Sequence, residues 1–158
     1  MVSIRGARPE DSLSVRSLLD TVGLFAGDGS FSGRDSAHAL IGSSELRVAE
    51  DGHRIVGAYE LHVRNAGPPS PGQLLFMAVD AAARERGVDL LLVEDLLNRA
   101  AASGVEVVQI LVRPPLDVFF RLLGADAIGI EAPGDGCAGP LVRLEMTPGR
   151  VAGLDPPL

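Results

Sequence analysis

Residues 73 to 80, QLLFMAVD, form a nearly unbroken apolar run that closes on an acid. A strand with one face in water alternates apolar and polar side chains, whereas a strand buried on both faces has no reason to alternate. This run, like LLLV at residues 90 to 93, is far too short to span a membrane. A chain built around such a strand must cover both faces of its sheet, and helices are the usual cover. With 158 residues, 46% of them hydrophobic, there is enough chain for one covered sheet and too little for two ordinary domains.

The flanking sequence supplies the remaining elements. VSIRG at the start reads as a short strand, and Pro9, Glu10 and Asp11 then fit the first turn of a helix, where a missing amide hydrogen and negative charge are both favoured. Leu13, Leu18, Leu19 and Val22 are expected on its apolar face. The next stretch is rich in Gly, Ser and Asp; only RDSAHALI suits a short helix, and the rest is expected to be mobile. Two β-type runs around Asp51 and Gly52 predict an antiparallel hairpin. After AGPPSPG comes the central strand, and then a helix with Leu92, Val93, Leu96 and Ala100 at helical spacing and Gly104 as its stop. VEVVQILV is a buried strand, PPLDVFFRLLG a short helix ended by Gly124, ADAIGI a weak strand and GPLVRLEM the last one. The order is strand, two helices, three strands, helix, strand, helix, two strands. It predicts an α/β (α+β) domain over residues 1–146, with a mixed, mostly antiparallel sheet flanked by helices on both faces. Residues 147–158, rich in Pro and Gly, are expected to be a flexible tail.

Charge narrows the function classes. The formal net charge is −7, and all 14 basic residues are arginine, so the overall field repels nucleic acid and anionic membranes. With no Trp and a single Tyr, Tyr59, little stacking surface is left for single-stranded nucleic acid. One cysteine, Cys137, and scattered His38, His53 and His62 show no metal-ligand spacing, and no metal is expected. The first residues lack an apolar run of signal-peptide length, which predicts a cytoplasmic protein.

The segment VDAAARERGVD, residues 79 to 89, joins the central strand to the best helix. Together with RPPLDVFFRLLGA about 30 residues later, it resembles the Gcn5-related N-acetyltransferase superfamily over roughly residues 3 to 146. Members commonly carry a strand ending in Val-Asp-Pro, a basic loop of the form Arg/Gln-x-x-Gly-x-Gly/Ala, and a helix. Val79, Asp80, Ala81, Arg84, Gly87 and Asp89 fall at those places without a gap, and Phe119, Phe120 and Gly124 match a later Phe-Tyr and Gly. The resemblance implies that the amides of the loop, with Arg84, Glu85, Arg86, Gly87, Val88 and Asp89, hold the pyrophosphate of acetyl coenzyme A or another acyl-CoA. It implies that the amides of Met77, Ala78 and Val79 polarise the thioester carbonyl, and it places Arg113 and Phe120 among the cofactor-binding positions. The expected reaction is N-acyl transfer from acetyl-CoA to a small amine.

The departures from the family pattern keep a second reading open. Asp89 stands where the loop usually ends in a small residue and Glu85 where glycine is frequent, so two carboxylates enter a region meant for an anion. Asp89 serving only as a helix cap is the alternative. Phe120 takes the place of the tyrosine that many members use as the acid, and Arg113 that of an asparagine. The central strand lacks the usual glutamate, and Glu60 and His62, on one face of the hairpin strand by the two-residue period, are the candidate base. A divergent protein of the same fold, without transferase activity and serving as a binding or regulatory module or another biosynthetic step, is the alternative. The acceptor and the acyl group are unreadable, and a homodimer is left open.

Overall fold

The computed structural model describes residues 1–22, 26–27, 43–63, 71–131 and 141–148. Its strands are β1 (Val2–Gly6), β2 (Ala26–Gly27), β3 (Ser43–Asp51), β4 (Arg54–Val63), β5 (Pro71–Val79), β6 (Val107–Val112), β7 (Asp126–Glu131) and β8 (Leu141–Met146). The helices are α1 (Ser12–Val22), α2 (Ala81–Glu85), α3 (Val88–Ala102) and α4 (Asp117–Leu122), with a 3-10 turn at Pro9–Asp11 leading into α1.

The strands form one sheet in the order β1-β3-β4-β5-β6-β8-β7, with β2 attached to β5 off this path. Among the described strands only β5 and β6 run parallel, which is the mixed, mostly antiparallel sheet that the element order predicts. The uninterrupted apolar sequence of β5 has the burial it requires, since every residue from Leu74 to Val79 is buried. One face carries α1: Val15 and Leu18 pack with Val48, Ala58, Phe76 and Ala78. The other carries α3 and α4, whose Leu92, Val93, Leu96 and Phe120 pack with Tyr59, Met77, Val108 and Ile110. Both faces of the sheet are therefore covered by helices.

Two polar clusters fasten these layers. Arg5 grips Asp11 with both terminal nitrogens, at 2.7 and 3.2 Å, while the Arg8 amide donates to the same carboxylate at 2.7 Å. This fixes the entry to α1 against β1. On the opposite face Asp95 of α3 accepts two hydrogen bonds from Arg47 of β3, both 3.0 Å, and one from the Tyr59 phenol of β4 at 2.6 Å. Helix α3 is thus tied by charge as well as by its apolar stripe.

Three local expectations are corrected. Leu13 is exposed and Val15 takes the buried place, because the turn over Pro9–Asp11 is a 3-10 turn and the α-helical phase starts only at Ser12. Within the stretch expected to be mobile, Ala26 and Gly27 form a strand on β5. The loop after β5 is not open throughout, since residues 81–85 wind into α2 before the chain enters α3. The short helix expected over RDSAHALI, Cys137, His38 and the tail from 149 onward lie outside the described residues.

Candidate active site

The site begins with a divergence between β5 and β6. Their parallel ladder covers only Pro71, Gly72 and Gln73 of β5, opposite Val107, Val108 and Gln109. Beyond Gln73 the two strands part, while β4 stays paired to β5 along the far edge up to Gly57 opposite Val79. A bulge at Leu75, where Glu60 faces Phe76 but Leu61 faces Leu74, falls where the separation opens.

The resulting wedge is divided along its length. Gly27 sits opposite Phe76 and Ala26 opposite Met77, so β2 occupies the middle of the freed edge of β5. Its approach is so close that a Cβ on Gly27 would lie 2.4 Å from the Leu75 carbonyl oxygen, and the residue's φ of +109° is itself one that favours glycine. Nearer the loop, Ala78 and Val79 have no strand partner on this edge among the described residues. Of the three amide positions implied for the thioester, the edge at Met77 is taken by β2, Val79 turns its amide to the opening, and Ala78 turns its own to β4, as does Asp80, whose amide donates to Val56.

The loop follows directly. Asp80 accepts the Arg84 amide on its carbonyl at 3.0 Å and lies 3.4 Å from Arg54 through its carboxylate. The Arg86 and Gly87 amides donate to Ala83 and Arg84, so the turn satisfies them internally. Gly87 has a φ of +81°, and nothing lies within 4 Å of the Cβ it lacks, which leaves the start of α3 open to close approach. The first amides of α3, at Val88 and Asp89, have no acceptor within the helix. The next, at Leu90, is bonded by the Asp89 carboxylate at 2.9 Å. Asp89 is therefore a first-turn side chain that consumes one helix-start donor, behind a residue, Gly87, that is the N-cap.

Side-chain charge around this loop is largely committed. Arg86 donates to Asp51 in the β3–β4 turn at 2.8 Å, and its guanidinium holds the Asp51 carboxyl below the usual carboxylate range. Arg84 and Glu85 are exposed, while Val88 is buried. An open cleft of about 440 Å³ lies beside the loop, bounded by Asp80, Arg54, His53 and the Ser14, Ser17 and Thr21 face of α1.

Glu60 and His62 are on the α1 side of β4, since Ala58 packs under α1 while Tyr59 and Leu61 pack under α3. Both are almost fully buried, 3% and 2% exposed. Glu60, Phe76 and Gly27 form one cross-strand row, which sets Glu60 two strand spacings, roughly 10 Å, from β2. His62 faces Gln73, the last residue of β5 that β6 holds, and so marks the base of the wedge. Phe120 is fully buried in the core, its ring edge-on to Phe119 at 5.0 Å. Arg113 lies at the end of β6, on a cavity of about 340 Å³ that also touches Ala26 and Gly27.

Two features escaped the sequence reading. The strand at Ala26–Gly27 has only a Gly-rich context to announce it, and two residues carry no period. The Arg47–Asp95–Tyr59 cluster joins residues 36 and 48 positions apart, which no local pattern connects.

No family model and no curated protein matches the sequence. Among solved structures, the chain is similar to an N-acetyltransferase from Staphylococcus aureus Mu50 at 16% identity and TM-score 0.73, covering 93% of this chain and 97% of that one. It is also similar to FeeM, an N-acyl amino acid synthase from uncultured soil microbes, at 18% identity and TM-score 0.73, covering 93% and 91%. A third is the ribosomal-protein-S18-alanine N-acetyltransferase from Escherichia coli, at 14% identity and TM-score 0.70, covering 94% of each. The likeness extends over nearly the whole of each chain, and it is a likeness of fold.

Proposed function

We propose that this chain, built on the fold of the Gcn5-related N-acetyltransferases, is an acyl-CoA-dependent N-acyltransferase that moves an acyl group, such as acetyl, to a small amine. The observation that carries this reading is the parting of β5 from β6 beyond Gln73, with the free edge at Ala78 and Val79 leading through the short helix α2 to the first turn of α3. An extended thioester arm suits the edge of a strand, and a pyrophosphate suits the first amides of a helix. Acyl coenzyme A would supply an activated acyl group on a thiol that leaves readily. Val88, Asp89 and the open backbone at Gly87 would hold its phosphates, with exposed Arg84 nearby, and the amide at Val79 would steady the carbonyl oxygen.

The remaining work falls to the α1 side of the sheet. Glu60 and His62, buried side by side on one face of β4, would take the amine's proton. Phe120 cannot donate a proton and is sealed in the core, so a departing thiolate would take its proton from water. The test is acyl transfer from acetyl-CoA to a panel of amines, read as thiol release. Replacing Glu60 and His62 together by Gln is expected to cut turnover about 100-fold or more while coenzyme binding persists.

One observation favours a second reading. Because β2 fills the middle of the wedge and Arg86 is held by Asp51, the same fold also suits a protein that binds an acyl-CoA without transferring from it. Coenzyme binding with no transfer to any amine would select this reading.

A further inference from the structure

We infer that the cavity between β2 and the end of β6 is an acceptor site for a small apolar acid, and that Arg113 holds its carboxylate. This rests on the acyltransferase reading and names the acceptor class: an amine that also carries a carboxylate, such as an aliphatic α-amino acid.

The cavity measures about 340 Å³ and is lined by Val112, Leu116, Leu141, two prolines and the backbone-rich wall of Ala26 and Gly27. Arg113 is the one charged residue among these described lining residues. That volume is at the small end of ligand sites, too little for a whole coenzyme and enough for an amino acid. Arg5, Arg47, Arg54, Arg86, Arg99 and Arg121 each hold a carboxylate of the fold. Among the described residues, none is joined to Arg113 by an ion pair or a side-chain hydrogen bond. Arg113 is exposed at the rim of this apolar hollow and has no such partner among the described residues, so a carboxylate can meet it at the water-facing end while an aliphatic body enters the hollow.

The geometry of the group selects the anion. One guanidinium matches a planar carboxylate with two parallel hydrogen bonds, whereas a phosphate dianion calls for more than one cation or donor. The apolar lining then takes the aliphatic body. A carboxylate at Arg113 leaves the rest of a small acid against β2, the strand that lines the freed edge of β5. The family resemblance sets Arg113 with the coenzyme; its position on the far side of β2 from the Asp80–Asp89 loop favours the acceptor.

The test is calorimetric titration of the full chain, without coenzyme A, using L-leucine, 4-methylpentanoate and L-leucinamide. Leucine and 4-methylpentanoate are expected to bind, and leucinamide, lacking the carboxylate, at least tenfold more weakly. Arg113→Gln is expected to weaken both acids at least tenfold and leave leucinamide, the melting temperature and acetyl-CoA affinity unchanged. Equal binding of acid and amide, no acid binding, or acids unaffected by Arg113→Gln would overturn the proposal. Loss of acetyl-CoA affinity in Arg113→Gln would overturn it too, by assigning the residue to the coenzyme. Acid binding that depends on Arg113, in a chain that binds no acetyl-CoA, would support this site while removing the acyltransferase reading.

Discussion

The Tyr59 phenol donates a 2.6 Å hydrogen bond to Asp95 across the interface between β4 and α3, at a place with no solvent exposure for the tyrosine. Burial first, and then this bond to a carboxylate, push the phenol's ionisation well above its ordinary value of 10.0. Below that value both the folded and the unfolded tyrosine are protonated, and the stabilisation is fully present. As pH rises past it only the unfolded phenol ionises, so stability falls with pH.

Because Tyr59 is the sole tyrosine and there is no tryptophan, ultraviolet titration reads this group alone. The phenolate band is expected to rise only together with loss of the folded far-ultraviolet signal. Tyr59→Phe should cost about 1–2 kcal/mol near neutral pH and abolish the tyrosine-linked part of the alkaline loss. A phenolate signal near pH 10 in a chain that is still folded would contradict this placement.

The acid end of the curve belongs in part to Asp11. Its carboxyl is held below the usual range chiefly by Arg5, with the Arg8 amide assisting and burial opposing. That stabilisation is present above the ordinary aspartate value of 3.8 and is lost as pH falls through the lower folded value. Asp11→Asn should therefore be less stable than the parent by about 1–3 kcal/mol at pH 7. The difference should shrink toward zero in strong acid. Urea midpoints of the two chains at several pH values check it, and a deficit independent of pH would show that Asp11 acts by shape rather than charge.

Gly27→Ala tests the contact between β2 and β5. An added methyl would meet the Leu75 carbonyl and the Phe76 Cα at 2.4 and 2.5 Å, backbone atoms that cannot swing aside. A loss of about 1–3 kcal/mol is expected. Gly129→Ala, where nothing lies within 4 Å, should stay within about 0.5 kcal/mol of the parent. Equal urea midpoints for the two variants would mean that β2 does not press on β5.

Much of this architecture was legible in the sequence because it follows from local pattern. The unbroken run in β5, the two β-type runs around the Asp51–Gly52 turn and the Leu92, Val93, Leu96, Ala100 stripe are local signals, and the structure has the buried strand, the hairpin and the buried helix face. Long-range contacts left no such trace. Leu13 and Val15 trade places through a 3-10 turn of three residues, which shifts helical phase without altering composition. The pairing of Arg86 with Asp51, and of Arg54 with Asp80, depends on the hairpin turn folding over the loop, a meeting that neither segment encodes alone. For the site, spacing identified the loop and the shared face of Glu60 and His62, while the occupant of the wedge, β2, was beyond its reach.

Asp89→Gly bears on the loop itself. The substitution removes a carboxylate from the first turn of α3 and frees the Leu90 amide that it holds. Affinity for acetyl-CoA should rise, by up to about 2 kcal/mol after solvent screening, at a cost in helix stability of about 1 kcal/mol. Calorimetry on both chains measures it, and unchanged or weaker affinity would place Asp89 away from the ligand.

The most direct measurement is hydrogen–deuterium exchange of the chain with and without saturating acetyl-CoA, resolved to single amides or short peptides. The account predicts slower exchange at Val79 and from Gly87 to Leu90, the edge of β5 and the first turn of α3. No binding at millimolar acetyl-CoA, or protection elsewhere with these amides unchanged, would contradict it.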